Sequence, residues 1–60
     1  MTKIKAMVTK RYEVSLYETL TGYKVSFESS DKNVVISEEI EDYGMASYLF
    51  ELKVTELEGM

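Results

Sequence analysis

Two runs of alternating residues, Tyr12-Glu13-Val14-Ser15-Leu16-Tyr17-Glu18 and Tyr23-Lys24-Val25-Ser26-Phe27-Glu28, are separated only by Thr19-Leu20-Thr21-Gly22. Period-two alternation of β-branched and aromatic residues with polar ones marks strands buried on one face. Tyr12, Val14 and Leu16 share one side of the first run, and Tyr23, Val25 and Phe27 share one side of the second. So short a connection makes the pair an antiparallel hairpin, with Gly22 expected to take a positive φ. Tyr17 and Tyr23 flank the loop and are expected to pair across it.

Beyond the hairpin there is little chain left. With 60 residues, the sequence reads as one domain, 1–60. A chain this short buries only roughly 60% of its unfolded surface, so its core is marginal. Small domains draw extra stability from disulfides, metals or a second subunit. There is no Cys for a disulfide and no His, the commonest metal ligand and general base. A homodimer is the remaining source of buried surface. The longest run of large apolar residues, Val34-Val35-Ile36, is far below the roughly 20 that a spanning helix needs. No membrane association and a cytoplasmic location are expected.

The rest of the chain reads as follows. Strand pairing is expected to begin near Ile4, since Ile4, Ala6 and Val8 continue the parity of Tyr12, Val14 and Leu16. Ser29-Ser30-Asp31-Lys32-Asn33 has turn composition, and Val34-Val35-Ile36 is a brief extended piece. Ser37 is a credible helix N-cap, followed by Glu38 and Glu39 at the positive end of the helix dipole, with Gly44 as a stop. These signals predict a short helix over about 37–45. In the C-terminal stretch, Tyr48, Phe50, Leu52 and Val54 alternate with Glu51, Lys53 and Thr55. A helix would gather Ala46, Leu49, Phe50 and Leu57 but would set Lys53 in their middle, so the alternation favours a strand. The expected fold is α+β: an antiparallel three-stranded sheet with one short helix, in the order β-β-α-β.

Charge is unevenly divided. Residues 1–37 carry Lys3, Lys5, Lys10, Arg11, Lys24 and Lys32 against Glu13, Glu18, Glu28 and Asp31. Residues 38–60 carry Glu38, Glu39, Glu41, Asp42, Glu51, Glu56 and Glu58 against Lys53 alone. Such a surface repels phosphate and suits a basic protein partner, so direct nucleic-acid binding is not expected. Catalytic and cofactor patterns are missing from the sequence. Gly22, Gly44 and Gly59 are isolated, no serine has a His beside it, and Asp31-Lys32-Asn33 leads to Val35 and Ile36 where a calcium loop needs a ligand and a glycine. No catalysis, metal or cofactor is expected. The candidate contact residues are Glu38, Glu39, Ile40, Glu41, Asp42 and Tyr43. One reading makes them a solvated face that keeps the protein soluble. The other makes them carboxylates standing at phosphate positions, with Ile40 and Tyr43 supplying apolar contact.

From Tyr12 almost to Leu57, the order of these features resembles the small acidic uracil-DNA glycosylase inhibitors of protein-primed Bacillus phages. The similarity comprises Tyr12-Glu13-Val14-Ser15-Leu16, the hairpin with Gly22, an aromatic return strand, the Ser37-acid start ending in Tyr43-Gly44, and Leu49-Phe50-Glu51-Leu52-Lys53-Val54. It implies a homodimer that imitates DNA, inhibits the host glycosylase and works in the cytoplasm of an infected bacterium. In that family an aromatic residue, the acid after it and a tyrosine one turn later contact the enzyme. Tyr43 takes the tyrosine position. Ungapped alignment puts Glu39 and Ile40 at the aromatic-acid pair, whereas a one-residue shift gives Ile40 and Glu41 and keeps the apolar-then-acid order. The same acidity would serve against another DNA-binding enzyme, such as a restriction or CRISPR nuclease. A third reading is a homodimeric interaction module with no inhibitory role.

Overall fold

Residues 1–59 are described by the computed structural model. The hairpin forms as its alternation requires: β2 (Tyr12–Glu18) pairs antiparallel with β3 (Tyr23–Ser29), setting Val14 opposite Phe27 and Leu16 opposite Val25. Tyr17 and Tyr23 do not meet across the loop. Tyr17 lies opposite Lys24, on the other face of the sheet from Tyr23. Its ring instead carries the Lys3 ammonium at 5.8 Å.

Two further strands complete the sheet in the order β1-β2-β3-β4, all neighbours antiparallel. β1 (Thr2–Val8) is a separate strand rather than an extension of β2. Thr9 turns the chain: its hydroxyl oxygen accepts the N–H groups of Arg11 and Tyr12, each at 3.2 Å. The expected parity of Ile4, Ala6 and Val8 is corrected by the register. Met7 and Lys5 lie opposite the core residues Val14 and Leu16, while Ala6 and Val8 pair with Ser15 and Glu13 on the opposite face. An irregularity between Lys3 and Lys5 takes up the extra residue, Ile4. β4 (Val34–Ile36) follows the turn as expected. In that turn the Asp31 carboxylate accepts from the Ser29 hydroxyl and, at 3.0 Å, from the Asn33 amide, around Lys32 at φ 67°.

The C-terminal stretch is helical, which corrects the expected strand over Tyr48–Val54 and turns β-β-α-β into β-β-β-β-α. Helix α1 (Tyr43–Glu58) packs over β2 and β3 and buries Ala46, Phe50 and Val54 against Val14, Leu16 and Val25. Lys53 does not interrupt this face. Its ammonium lies 5.0 Å from the centre of the Phe27 ring, so its stem covers apolar surface while its charge stays at the edge. Lys5 does the same over Phe50 at 4.9 Å.

The expected helix over 37–45 is also corrected. Asp42, not Ser37, is the N-cap; its Oδ2 accepts the Met45 N–H at 2.9 Å. Gly44 does not stop a helix but sits in the first turn of α1, where a Cβ would lie 3.0 Å from that same carboxylate oxygen. Asp42→Ala should therefore remove the cap and cost about 1 kcal/mol. For a domain of this size that is a fall in Tm of roughly 4–8 °C, to be read from thermal unfolding by circular dichroism.

Candidate functional site

The six candidate residues occupy the connection from β4 to α1, and only Tyr43 is helical. The connection is nevertheless held to the sheet. Ser37 donates its N–H to the Val25 carbonyl at 2.8 Å and accepts the Val25 N–H on its hydroxyl at 2.9 Å. Three residues on, Ile40 and Tyr23 exchange two backbone hydrogen bonds of 2.8 Å each. This bridge explains Gly22 in a way the sequence did not. Gly22 has no positive φ; its hydrogen stands where a Cβ would approach the Ile40 carbonyl oxygen to 2.6 Å.

The structure divides the four acids by role. Glu39 folds back over the β2–β3 loop, where the hydroxyls of Thr19 and Thr21 each donate to its carboxylate at 2.6 Å. These bonds, first Thr19 and then Thr21, hold its pKa below the ordinary carboxylate range, with a smaller contribution from Lys24. Asp42 is occupied as the helix cap. Glu38 and Glu41 are exposed, and among the described residues neither carboxylate accepts a side-chain hydrogen bond or forms an ion pair. Ile40 is half-buried and packs against the core. Tyr43 remains 45% exposed, its ring edge-on to Tyr23 at 5.4 Å between centroids. The connection therefore presents two unbonded carboxylates, Glu38 and Glu41, and one half-exposed aromatic ring.

Because the folded pKa of Glu39 is lowered, its contribution to stability is present above the unfolded value and is lost as pH falls through the folded one. Glu39→Gln should thus lower Tm at about pH 7, and the difference from wild type should shrink as pH falls below the ordinary carboxylate range. Its solvent exposure keeps the effect modest. Thermal unfolding across that pH range measures it, and a difference that persists in acid would contradict the assigned bonds.

A second feature was not foreseen from the sequence. Val25, Phe27, Val35, Leu49 and Leu52 line an apolar groove of about 260 Å³ between α1 and the β4 side of the sheet, with Lys53 and Glu56 at its rim. The signal for it was Leu49, the one residue that did not fit a strand; on a helix it stands three residues before Leu52, on the same side.

No protein-family model, curated protein or solved structure matches the chain. Among the described residues no helix is long and apolar enough to cross a membrane.

Proposed function

We propose that this chain is a DNA-mimicking protein inhibitor that occupies the DNA-binding face of a host uracil-DNA glycosylase, in the cytoplasm of an infected bacterium, and catalyses nothing itself. The observation that carries the reading is the pinned connection after β4. It is anchored at Ser37, Ile40 and Asp42, and between and beside these anchors it carries the exposed, unbonded Glu38 and Glu41 and leads into the half-exposed Tyr43. Base-flipping enzymes grip phosphates on a basic surface and must part the DNA stack around the target base. Carboxylates on a pinned backbone, with no intramolecular bonds to break, meet that basic surface without a cost for ordering the chain, and opposite charge speeds the encounter. Glu39 and Asp42 act here through the backbone they hold, while Glu41, Glu38 and Tyr43 make the contact.

The test is uracil excision from a labelled oligonucleotide with and without the purified protein. Inhibition at micromolar protein or below is expected, together with no gel shift of DNA by the protein at low salt. An inactive protein would move the proposal to another DNA-binding enzyme, such as a restriction or CRISPR nuclease, for which the same carboxylates would serve. The apolar groove favours a second reading, a homodimeric interaction module, and under it the acidic connection would be dispensable.

A further inference from the structure

Among the described residues Leu20 is the most exposed of the large apolar ones, at 105%. It stands in the β2–β3 loop, where turns favour Gly, Asn, Asp and Ser. A single leucine in water is ordinary on a protein surface, but the backbone under this one is locked. The Thr19 N–H donates to the Gly22 carbonyl at 2.8 Å and closes the loop. The Thr19 hydroxyl oxygen accepts the N–H groups of Gly22 at 3.0 Å and Thr21 at 3.4 Å. On either side of Leu20, the Thr19 and Thr21 hydroxyls donate to Glu39, and Gly22 lies close under the Ile40 carbonyl. The loop and the connection after β4 therefore form one body. Within it, Leu20 is tied through both neighbours while its own side chain stands in water.

Resting on the function proposed above, we infer that Leu20 is an apolar anchor of the inhibitory contact, seated in an apolar recess on the basic, DNA-binding face of the target enzyme. The chemistry of that recess follows from what surrounds the leucine. Glu18 precedes it by two residues, Glu39 is bonded to both of its neighbours, and Glu38 and Glu41 lie on the connection to which the loop is tied. Apolar surface framed by carboxylates is complemented by an apolar recess framed by cations. A surface that grips phosphates and takes up an unstacked base has that make-up. The locked loop adds little ordering cost to binding. A side chain that gives up all of its exposure gains the full transfer free energy of a leucine.

Surface plasmon resonance with purified uracil-DNA glycosylase, at several salt concentrations, tests the anchor. Leu20→Ala should weaken binding about 10- to 100-fold, and its Tm should equal that of wild type because the side chain packs against nothing. Leu20→Met, which keeps the apolar bulk, should stay within a factor of a few. The loss in Leu20→Ala should fall on the dissociation rate and leave the salt dependence of affinity as in wild type, whereas Glu41→Gln should flatten that dependence. A diazirine leucine analogue at position 20 should crosslink to the DNA-binding face of the enzyme, and excess duplex DNA should prevent the crosslink. Wild type that does not bind the enzyme overturns the proposed function and this inference with it. Wild type that binds, with Leu20→Ala binding equally well, overturns this inference alone. So does a crosslink that falls outside the DNA-binding face.

Discussion

Glu41→Gln should weaken inhibition of uracil-DNA glycosylase by about 30-fold to several-thousand-fold, because truncating one partner of a desolvated charge pair costs about 2–5 kcal/mol. The substitution keeps the shape of the side chain and removes only its charge, so it asks whether a carboxylate is standing in for a phosphate. Glu41 is the stringent choice on structural grounds. It lies between the Ile40 bridge and the Asp42 cap, whose backbone and side-chain bonds fix it from both sides. Tyr43→Ala should cost a comparable amount, since a half-exposed ring at the centre of a contact is a common anchor. Tyr43 also packs on Tyr23, so circular dichroism must show that the variant is folded before its loss is assigned to binding. Glu56→Gln, in the C-terminal part of α1 and outside the Glu38–Tyr43 segment, should leave inhibition within a factor of a few. Glu39→Gln separates two kinds of acid. If Glu39 works by holding the β2–β3 loop to the connection, its variant loses Tm first and inhibition only in proportion. Inhibition retained by both Glu41→Gln and Tyr43→Ala would leave the target enzyme in place and move the contact elsewhere, with the apolar groove the next surface to test.

What the sequence made legible followed from local rules. The β2–β3 hairpin was readable because two alternating runs were joined by a short loop, and pairing then had one solution. β4 was readable as a brief extended piece after a polar turn. The N-terminal strand was misplaced by one parity because the turn at Thr9 pairs Val8 with Glu13 and so sets Met7 and Lys5, not Ala6 and Val8, opposite the core residues of β2; the irregularity at Ile4 shifts the register only beyond them. The helix was misread for a different reason. Its apolar residues stand on two sides: Ala46, Phe50 and Val54 are buried, while Met45, Leu49 and Leu52 form a second, exposed stripe. With apolar positions all round, period-two and period-3.6 templates fit the same letters. Lys53 appeared to break the helical face, and only the Phe27 ring beneath it, 26 residues earlier in the chain, makes that position acceptable. Ser37-Glu38-Glu39 carried a genuine capping signal, but the hydroxyl of Ser37 is spent on the Val25 N–H and the Ile40–Tyr23 bridge keeps the segment extended. The identity of the candidate residues could be read from charge and aromatic content. Their division into bonded and unbonded carboxylates required partners, Thr19 and Thr21, that are distant in sequence.

Phe50→Ala should remove about half of the protein's stability or more. Phe50 is 5% exposed and fills the space between Ala46 and Val54 on α1 and Val14, Leu16 and Val25 on the sheet, with the Lys5 ammonium over its ring. Truncating a buried phenylalanine costs about 3–5 kcal/mol, from lost transfer free energy and the cavity left behind. The whole domain has roughly 3–9 kcal/mol of stability to lose, at 0.05–0.15 kcal/mol per residue. Among the described residues only six apolar ones are buried, so no neighbouring layer is large enough to collapse into the gap. The companion variant is Tyr48→Ala. Tyr48 is 65% exposed on the far side of α1, and its loss should shift stability by no more than about 0.5 kcal/mol. The pair distinguishes the two readings of this segment. In a strand over 48–54, Tyr48 and Phe50 would share one face and their losses would be similar. In the helix they lie about 160° apart around the axis, at roughly 3.6 residues per turn. Urea unfolding followed by circular dichroism measures both variants. Equal losses would contradict the packing of α1, whereas a deficit confined to Phe50→Ala fixes which side of the helix holds the fold together and which is left for a partner.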